Sequence, residues 1–141
     1  MWDKRLIDMA ALVGGWSKDP NTQVGAVISD TRHRVLSVGF NGFPRGIADD
    51  ARLHNQTVKL AIVIHAEENA ILNAHCSLEG AVLHTTHAPC ARCAAKIIQV
   101  GIVRVVMPPQ DDTFLAKWGN DGISLLLEAG VEVGEYVSNV A

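Results

Sequence analysis

Ala81-Val82-Leu83-His84-Thr85-Thr86-His87-Ala88-Pro89-Cys90-Ala91-Arg92-Cys93-Ala94-Ala95-Lys96-Ile97-Ile98-Gln99-Val100-Gly101-Ile102-Val103-Arg104-Val105-Val106-Met107 is the stretch whose reading decides the fold. Residues 81–86 and 102–107 are short apolar runs rich in β-branched side chains, so each reads as a strand. Between them, residues 90–100 carry helix formers opened by Pro89 and closed by Gly101, which is the punctuation of a helix. The unit is therefore strand, helix, strand.

The same reading extends outward. Trp2, Leu6, Met9, Val13 and Trp16 form one stripe of an amphipathic helix that ends before Lys18-Asp19-Pro20, and both tryptophans are expected in the core. Gln23 to Ser29 and Arg34 to Phe40 are β-branched-rich runs separated by Asp30-Thr31-Arg32-His33, hence a hairpin. A polar segment from Asn41 to about Lys59 reads as a long loop, and loops of that length in a compact domain carry function more often than not. Leu60 to Ile64 is expected to be a buried run, and Ala66 to Cys76 a helix with Glu67 and Glu68 in its first turn. Leu115 to Ala129 reads as mostly helical with a break around Gly119 to Gly122, and Val131 to Val137 as a last strand. A hairpin followed by alternating helices and strands implies an α/β fold in three layers, α/β/α, around a mixed five-stranded sheet.

Bulk properties narrow the function classes. The chain has 141 residues, 48% of them hydrophobic, with a formal charge of −3. That length suits one domain over residues 1–141, and that apolar content excludes intrinsic disorder. No run approaches the roughly 18 apolar residues of a membrane span, and no signal-peptide pattern follows Met1, so a soluble, cytoplasmic protein is expected, with no membrane partner. An acidic balance offers no broad basic surface for a polyphosphate backbone, so long nucleic acids are not expected partners. Three cysteines without a secretory signal point to a metal or redox pair rather than to disulfides.

Cys90 and Cys93 are such a pair, and His65-Ala66-Glu67 stands 25 residues upstream, each motif where a strand gives way to a helix. Residues three apart on the first turn of a helix share a face, so both sulfurs can address one metal. Two thiolates and an imidazole make three ligands for Zn2+, leaving a fourth tetrahedral position for water, as in catalytic rather than structural sites. The helix N-terminus favours the thiolate form of Cys90 and of Cys93. Glu67, two residues after His65, is the natural group to accept a proton from that water. Taken alone, the cysteine pair also fits a redox motif or half of a structural zinc site. The joint pattern H-x-E…P-C-x-x-C is already known as the signature of the zinc deaminases.

With those residues in view, the chain resembles the deoxycytidylate deaminase branch of the cytidine and deoxycytidylate deaminase family, and so implies the cytidine-deaminase-like fold. The resemblance is carried by Ser17-Lys18-Asp19-Pro20-Asn21-Thr22-Gln23-Val24-Gly25, Gly39-Phe40-Asn41-Gly42-Phe43-Pro44-Arg45-Gly46, His65-Ala66-Glu67-Glu68-Asn69-Ala70-Ile71 and Thr86-His87-Ala88-Pro89-Cys90-Ala91-Arg92-Cys93-Ala94. It implies hydrolytic deamination of dCMP to dUMP and ammonia, which supplies dUMP for dTMP synthesis. Zinc on His65, Cys90 and Cys93, proton transfer by Glu67, and substrate contacts from Thr22, Val24, Asn41 and the Ala66 amide come with it. Other deaminases of the same fold, acting on tRNA adenosine or on free cytidine or deoxycytidine, stay open as alternatives, as does a non-catalytic zinc-stabilised binding module.

In relatives dCTP with Mg2+ activates and dTTP inhibits, which the resemblance assigns here to Gly42, Phe43, Pro44, Arg45 and Gly46. The residues suit a triphosphate, since glycines let backbone amides approach phosphate and Arg45 offers a charge-assisted fork. A glycine-proline turn that only shapes the substrate mouth is the other reading. The family also implies a homo-oligomer, with a hexamer expected.

Overall fold

Every residue of strand β1 (Gly25–Ser29) is buried, which a strand achieves only when both of its faces are covered. Val27 clusters with Leu6 and Ala10 of helix α1 (Trp2–Gly14). Its neighbours Ala26 and Ile28 join the opposite cluster, with Ala66 and Ala70 of α3 (Ala66–Asn73) and Ala94 and Ile97 of α4 (Ala91–Gln99). Period-two alternation along one strand thus builds both halves of the core.

The computed structural model describes residues 1–110 and 121–140. Besides those elements it contains β2 (Val35–Phe40), a short 3-10 turn (Ala51–His54), α2 (Gln56–Ile62), β3 (Val82–Thr85), β4 (Arg104–Met107), α5 (Asp121–Glu128) and β5 (Glu132–Glu135). The sheet runs β2-β1-β3-β4-β5. Its first three strands are antiparallel neighbours, and β3, β4 and β5 are parallel. The expected mixed five-stranded α/β architecture is what the chain adopts. Among the described residues no helix is long and apolar enough to cross a membrane.

Several expectations change. Trp2 and Trp16 are 42% and 53% exposed, whereas Leu6 and Val13 of the same stripe are buried. The reason is how closely α1 lies on the sheet: a Cβ on Gly25 would collide with the Ala10 carbonyl, so only small side chains fit at the centre. The indoles are left to the helix ends. Trp2 stacks on His33 at 4.7 Å and Trp16 meets Phe40 edge-on.

The segment expected to be loop up to Lys59 contains the start of α2, whose N-cap Asn55 accepts from the Val58 amide at 3.2 Å. Within α2 the burial is inverted from the apolar reading, with Leu60 at 55% exposure and Lys59 at 4%. Helix α3 ends at Asn73, short of Cys76. Gly122, expected in a helix break, lies inside α5, where a Cβ would strike the Pro89 carbonyl. Glycine there lets α5 close over the β3–α4 loop. Asp121 of the expected break opens the same helix, and residues 115–120 of the expected helix and break lie outside the described residues.

Candidate functional site

The ends of β3 and of the Gly42–Ile64 bridge deliver two helix N-termini to one place. His65 is the N-cap of α3 and Cys90 the N-cap of α4, both with extended backbone. Glu68 Oε1 accepts the His65 amide at 3.3 Å, while its Oε2 pairs with Lys96 of α4 at 2.6 Å. One carboxylate therefore caps α3 and ties it to α4, holding the two starts together.

His65 Nδ1 lies 3.3 Å from Cys93 Sγ and 3.5 Å from Cys90 Sγ, and the three ligand atoms fall within 4.8 Å of one another. Tetrahedral zinc, with bonds of about 2.3 Å to sulfur and 2.0–2.1 Å to nitrogen, separates sulfur from nitrogen by about 3.6 Å. The triad fits the ion. Its electrostatics point the same way. Two thiolates this close repel, so the Cys93 thiol donates to Cys90, which together with His65 holds Cys90 down to about 3. Cys93 itself is pushed far up by that hydrogen bond, by burial and by Glu67. Contrary to the expectation above, the helix N-terminus does not ionise both sulfurs unaided; a shared divalent cation would let both carry charge. The Cys90 thiolate raises His65, against its burial.

Glu67 follows on the first turn of α3, 4% exposed. Burial raises its carboxyl above the usual range, opposed by the Thr85 hydroxyl, which donates to Oε1 at 3.0 Å. Neither Thr85 nor its role carries a motif; its place opposite α3 follows from strand alternation, with His84 turned to the other face.

His65, Glu67 and Cys90 open onto a cavity of about 880 Å³, also lined by Thr22, Val24, Asn41 and Ala66. All the expected substrate-side residues are thus brought to one cavity. Asn41, 7% exposed, has its amide engaged with backbone: Oδ1 accepts from Val24 N at 2.9 Å and Nδ2 donates to the Thr22 carbonyl at 2.8 Å. It holds the segment before β1 against the end of β2. Sequence reading missed Lys59, Arg92 and Ile123, which also line the cavity. Lys59 gave no signal, since a lone lysine on a polar stretch reads as solvated.

Residues 42–46 line none of this cavity. Gly42 instead exchanges two backbone hydrogen bonds with Ile64, at 3.1 and 2.8 Å, immediately before His65. Gly46 has φ +87°, and the Arg52 guanidinium sits 6.0 Å over the Phe43 ring.

A three-layer α/β fold with a His/Cys/Cys triad on paired helix N-termini and a buried glutamate two residues after the histidine defines a zinc-dependent hydrolytic deaminase. Residues 1–108 match the family model described as the cytidine and deoxycytidylate deaminase zinc-binding region, and the chain belongs to that family. It is 52% identical over 136 residues to an uncharacterized deaminase in the luxG 3' region of Aliivibrio fischeri, covering 94% of this chain and 91% of that protein. It is 37% identical over 112 residues to human deoxycytidylate deaminase, covering 74% of this chain and 63% of that protein. The chain thus spans less than two thirds of the human enzyme. Among solved structures, the dCMP deaminase of cyanophage S-TIM5 in complex with dCMP and dUMP superposes with a TM-score of 0.79. Identity is 28%, over 92% of this chain and 93% of that one.

Proposed function

We propose that this chain deaminates dCMP hydrolytically to dUMP and ammonia, with His65, Cys90 and Cys93 holding zinc and Glu67 moving the protons. The observation that carries the reading is the convergence of Nδ1 and two Sγ atoms beside buried Glu67 at a nucleotide-sized cavity. The family's zinc-binding character and the likeness to a phage enzyme bound to dCMP and dUMP support it. Zinc held there supplies the acid strength that brings water close to ionisation near neutral pH.

Glu67 does the rest by proton transfer. Its burial-raised basicity suits it to take a proton from the attacking water and deliver it to the ring nitrogen beside C4. It then passes the second proton to the amine, so that ammonia leaves and a carbonyl remains. Thr85 holds Oε1, which leaves Oε2 to make both transfers. Thr22, Val24 and Asn41 form the wall against which base and sugar lie, and the Ala66 amide, on the first turn of α3, is a donor for developing negative charge.

The finer reading covers regulation and assembly. dCTP with Mg2+ raises activity and dTTP lowers it through Gly42, Phe43, Pro44, Arg45 and Gly46. The Gly42–Ile64 bridge supports this, because movement of that loop pulls directly on the residue before His65. A homo-oligomer, hexameric as in the family, and a reducing, cytoplasmic setting for three free thiols complete it.

Ammonia release measured in parallel with dCMP, deoxycytidine and a tRNA anticodon stem tests the activity, with Glu67→Gln as the blank. Faster turnover of either rival than of dCMP overturns the substrate; rates indifferent to both triphosphates at subsaturating dCMP overturn the regulation.

A further inference from the structure

A fully buried lysine needs a reason, and Lys59 has only part of one. Its side chain is 5% exposed and its Nζ lies 3.2 Å from Asp19 Oδ1, forty residues away in sequence. That oxygen is already satisfied, since it accepts the amides of Asn21 at 2.8 Å and Thr22 at 3.1 Å. Burial works against the charge of Asp19, yet those two amides and Lys59 keep its carboxyl below the ordinary range, so it is an anion with three donors. Lys59 is the reverse. An ammonium has three N–H donors, and among the described residues Asp19 takes one. The negative charge is shared among three groups while the positive charge is one-third used. A desolvated cation with two idle donors is a strong attractor for an anion.

Lys59, Asp19, Asn21 and Thr22 all line the same cavity as His65, Glu67 and Cys90. Lys59 stands three residues before the end of α2, and three more reach His65, which bounds their Cα separation at about 14 Å. That is within the span of a nucleotide plus two side chains. Among the described lining residues the other basic side chain, Arg92, is exposed and hence hydrated, which weakens its hold on an anion.

We propose that Lys59 is the residue by which this site selects a nucleotide over a nucleoside, presenting its two remaining N–H donors to the substrate phosphate while Asp19 holds it in place. The proposal rests on the deaminase reading above and deepens it. A purely structural strut between α2 and the segment before β1 is the competing role, and the two differ in what they do to a ligand without phosphate.

The test uses zinc-loaded protein and calorimetric titration with dUMP and with deoxyuridine. Lys59→Met removes the donors but strands Asp19, so Asp19→Asn/Lys59→Met is measured beside it to relieve the unpaired carboxylate. The expected result is that both variants lose at least about 30-fold in dUMP affinity, the scale of deleting one partner of a desolvated charge pair. Deoxyuridine affinity stays within about twofold in both. Equal weakening of both ligands, or an unchanged ratio, overturns the proposal and makes Lys59 a strut. Wild-type protein that binds deoxyuridine as tightly as dUMP overturns the nucleotide reading itself, and this assignment with it.

Discussion

On one side of the sheet, Asp3 of α1 receives two N–H donors from Arg104, each at 2.8 Å, and lies 2.9 Å from Nε2 of buried His84. On the other side, His65 and Cys90 meet buried Cys93 beside Glu67 at the edge of a cavity. Both regions hold charge at least partly out of water, the Asp3 and Arg104 side chains being 31% and 28% exposed, so burial alone does not explain the difference. Satisfaction does. Asp3 and Arg104 form a bidentate pair that closes its own account and ties α1 to β4. In the triad two sulfurs and one imidazole crowd together, and the Cys90 thiolate is answered only by His65 and by a proton shared with Cys93. A charged cluster that balances itself is scaffold, and one whose donors aim at a common point is built to receive something.

The contrast breaks most visibly at Cys93. Cys93→Ala is expected to empty the site of zinc, abolish turnover and lower stability by several kcal/mol, because ion binding and local folding are coupled; with zinc at 1,000 times its Kd the loss is about 4 kcal/mol. Elemental analysis beside a melting curve checks it. A zinc-replete, active variant would move the third ligand elsewhere.

Asp3→Asn should act on the opposite region alone, costing about 1–3 kcal/mol as the bidentate pair with Arg104 loses the carboxylate's charge and one of its two acceptor oxygens. Zinc content and kcat per folded molecule are expected to stay at wild-type values. If activity fell with stability intact, the two faces would be coupled and the division between them wrong.

The smallest effect is in pH. Burial lowers the pKa of His84, against the pull of Asp3, and among the described residues Nδ1 has no partner, so the ring is held neutral. The unfolded chain takes up a proton near 6.5 that the folded ring refuses. Its contribution is therefore fully present above pH 6.5 and lost as pH falls through the lower folded value, with a slope of up to about 1.4 kcal/mol per pH unit. Urea midpoints at pH 7.5 and 5.5 should fall more for wild type than for His84→Gln, which keeps a donor for Asp3. Identical falls would assign the acid sensitivity to other groups.

Much of the site was legible because its geometry is local. C-x-x-C falls on one helical turn, His65 and Glu67 sit two apart across a helix start, and strand-to-helix punctuation marks both N-termini. None of this depends on which elements become neighbours. The five strands were legible for the same reason, as short β-branched-rich apolar runs between turn residues.

What the sequence by itself determined, then, was the strands, the helices other than α2, and the grouping of His65, Cys90 and Cys93 with Glu67 beside them, all set by short-range spacings and by caps. The tertiary structure alone decided the rest: Lys59 buried on Asp19, Thr85 on Glu67, Arg104 on Asp3, Gly122 kept inside a helix by the Pro89 carbonyl, and the tryptophans left outside. Those partners lie between 18 and 101 residues apart for the hydrogen-bonded pairs, so no local period encodes them. They exist because the strand order brings particular faces together, and only when the faces meet is it fixed which polar group must be satisfied and which side chain fits.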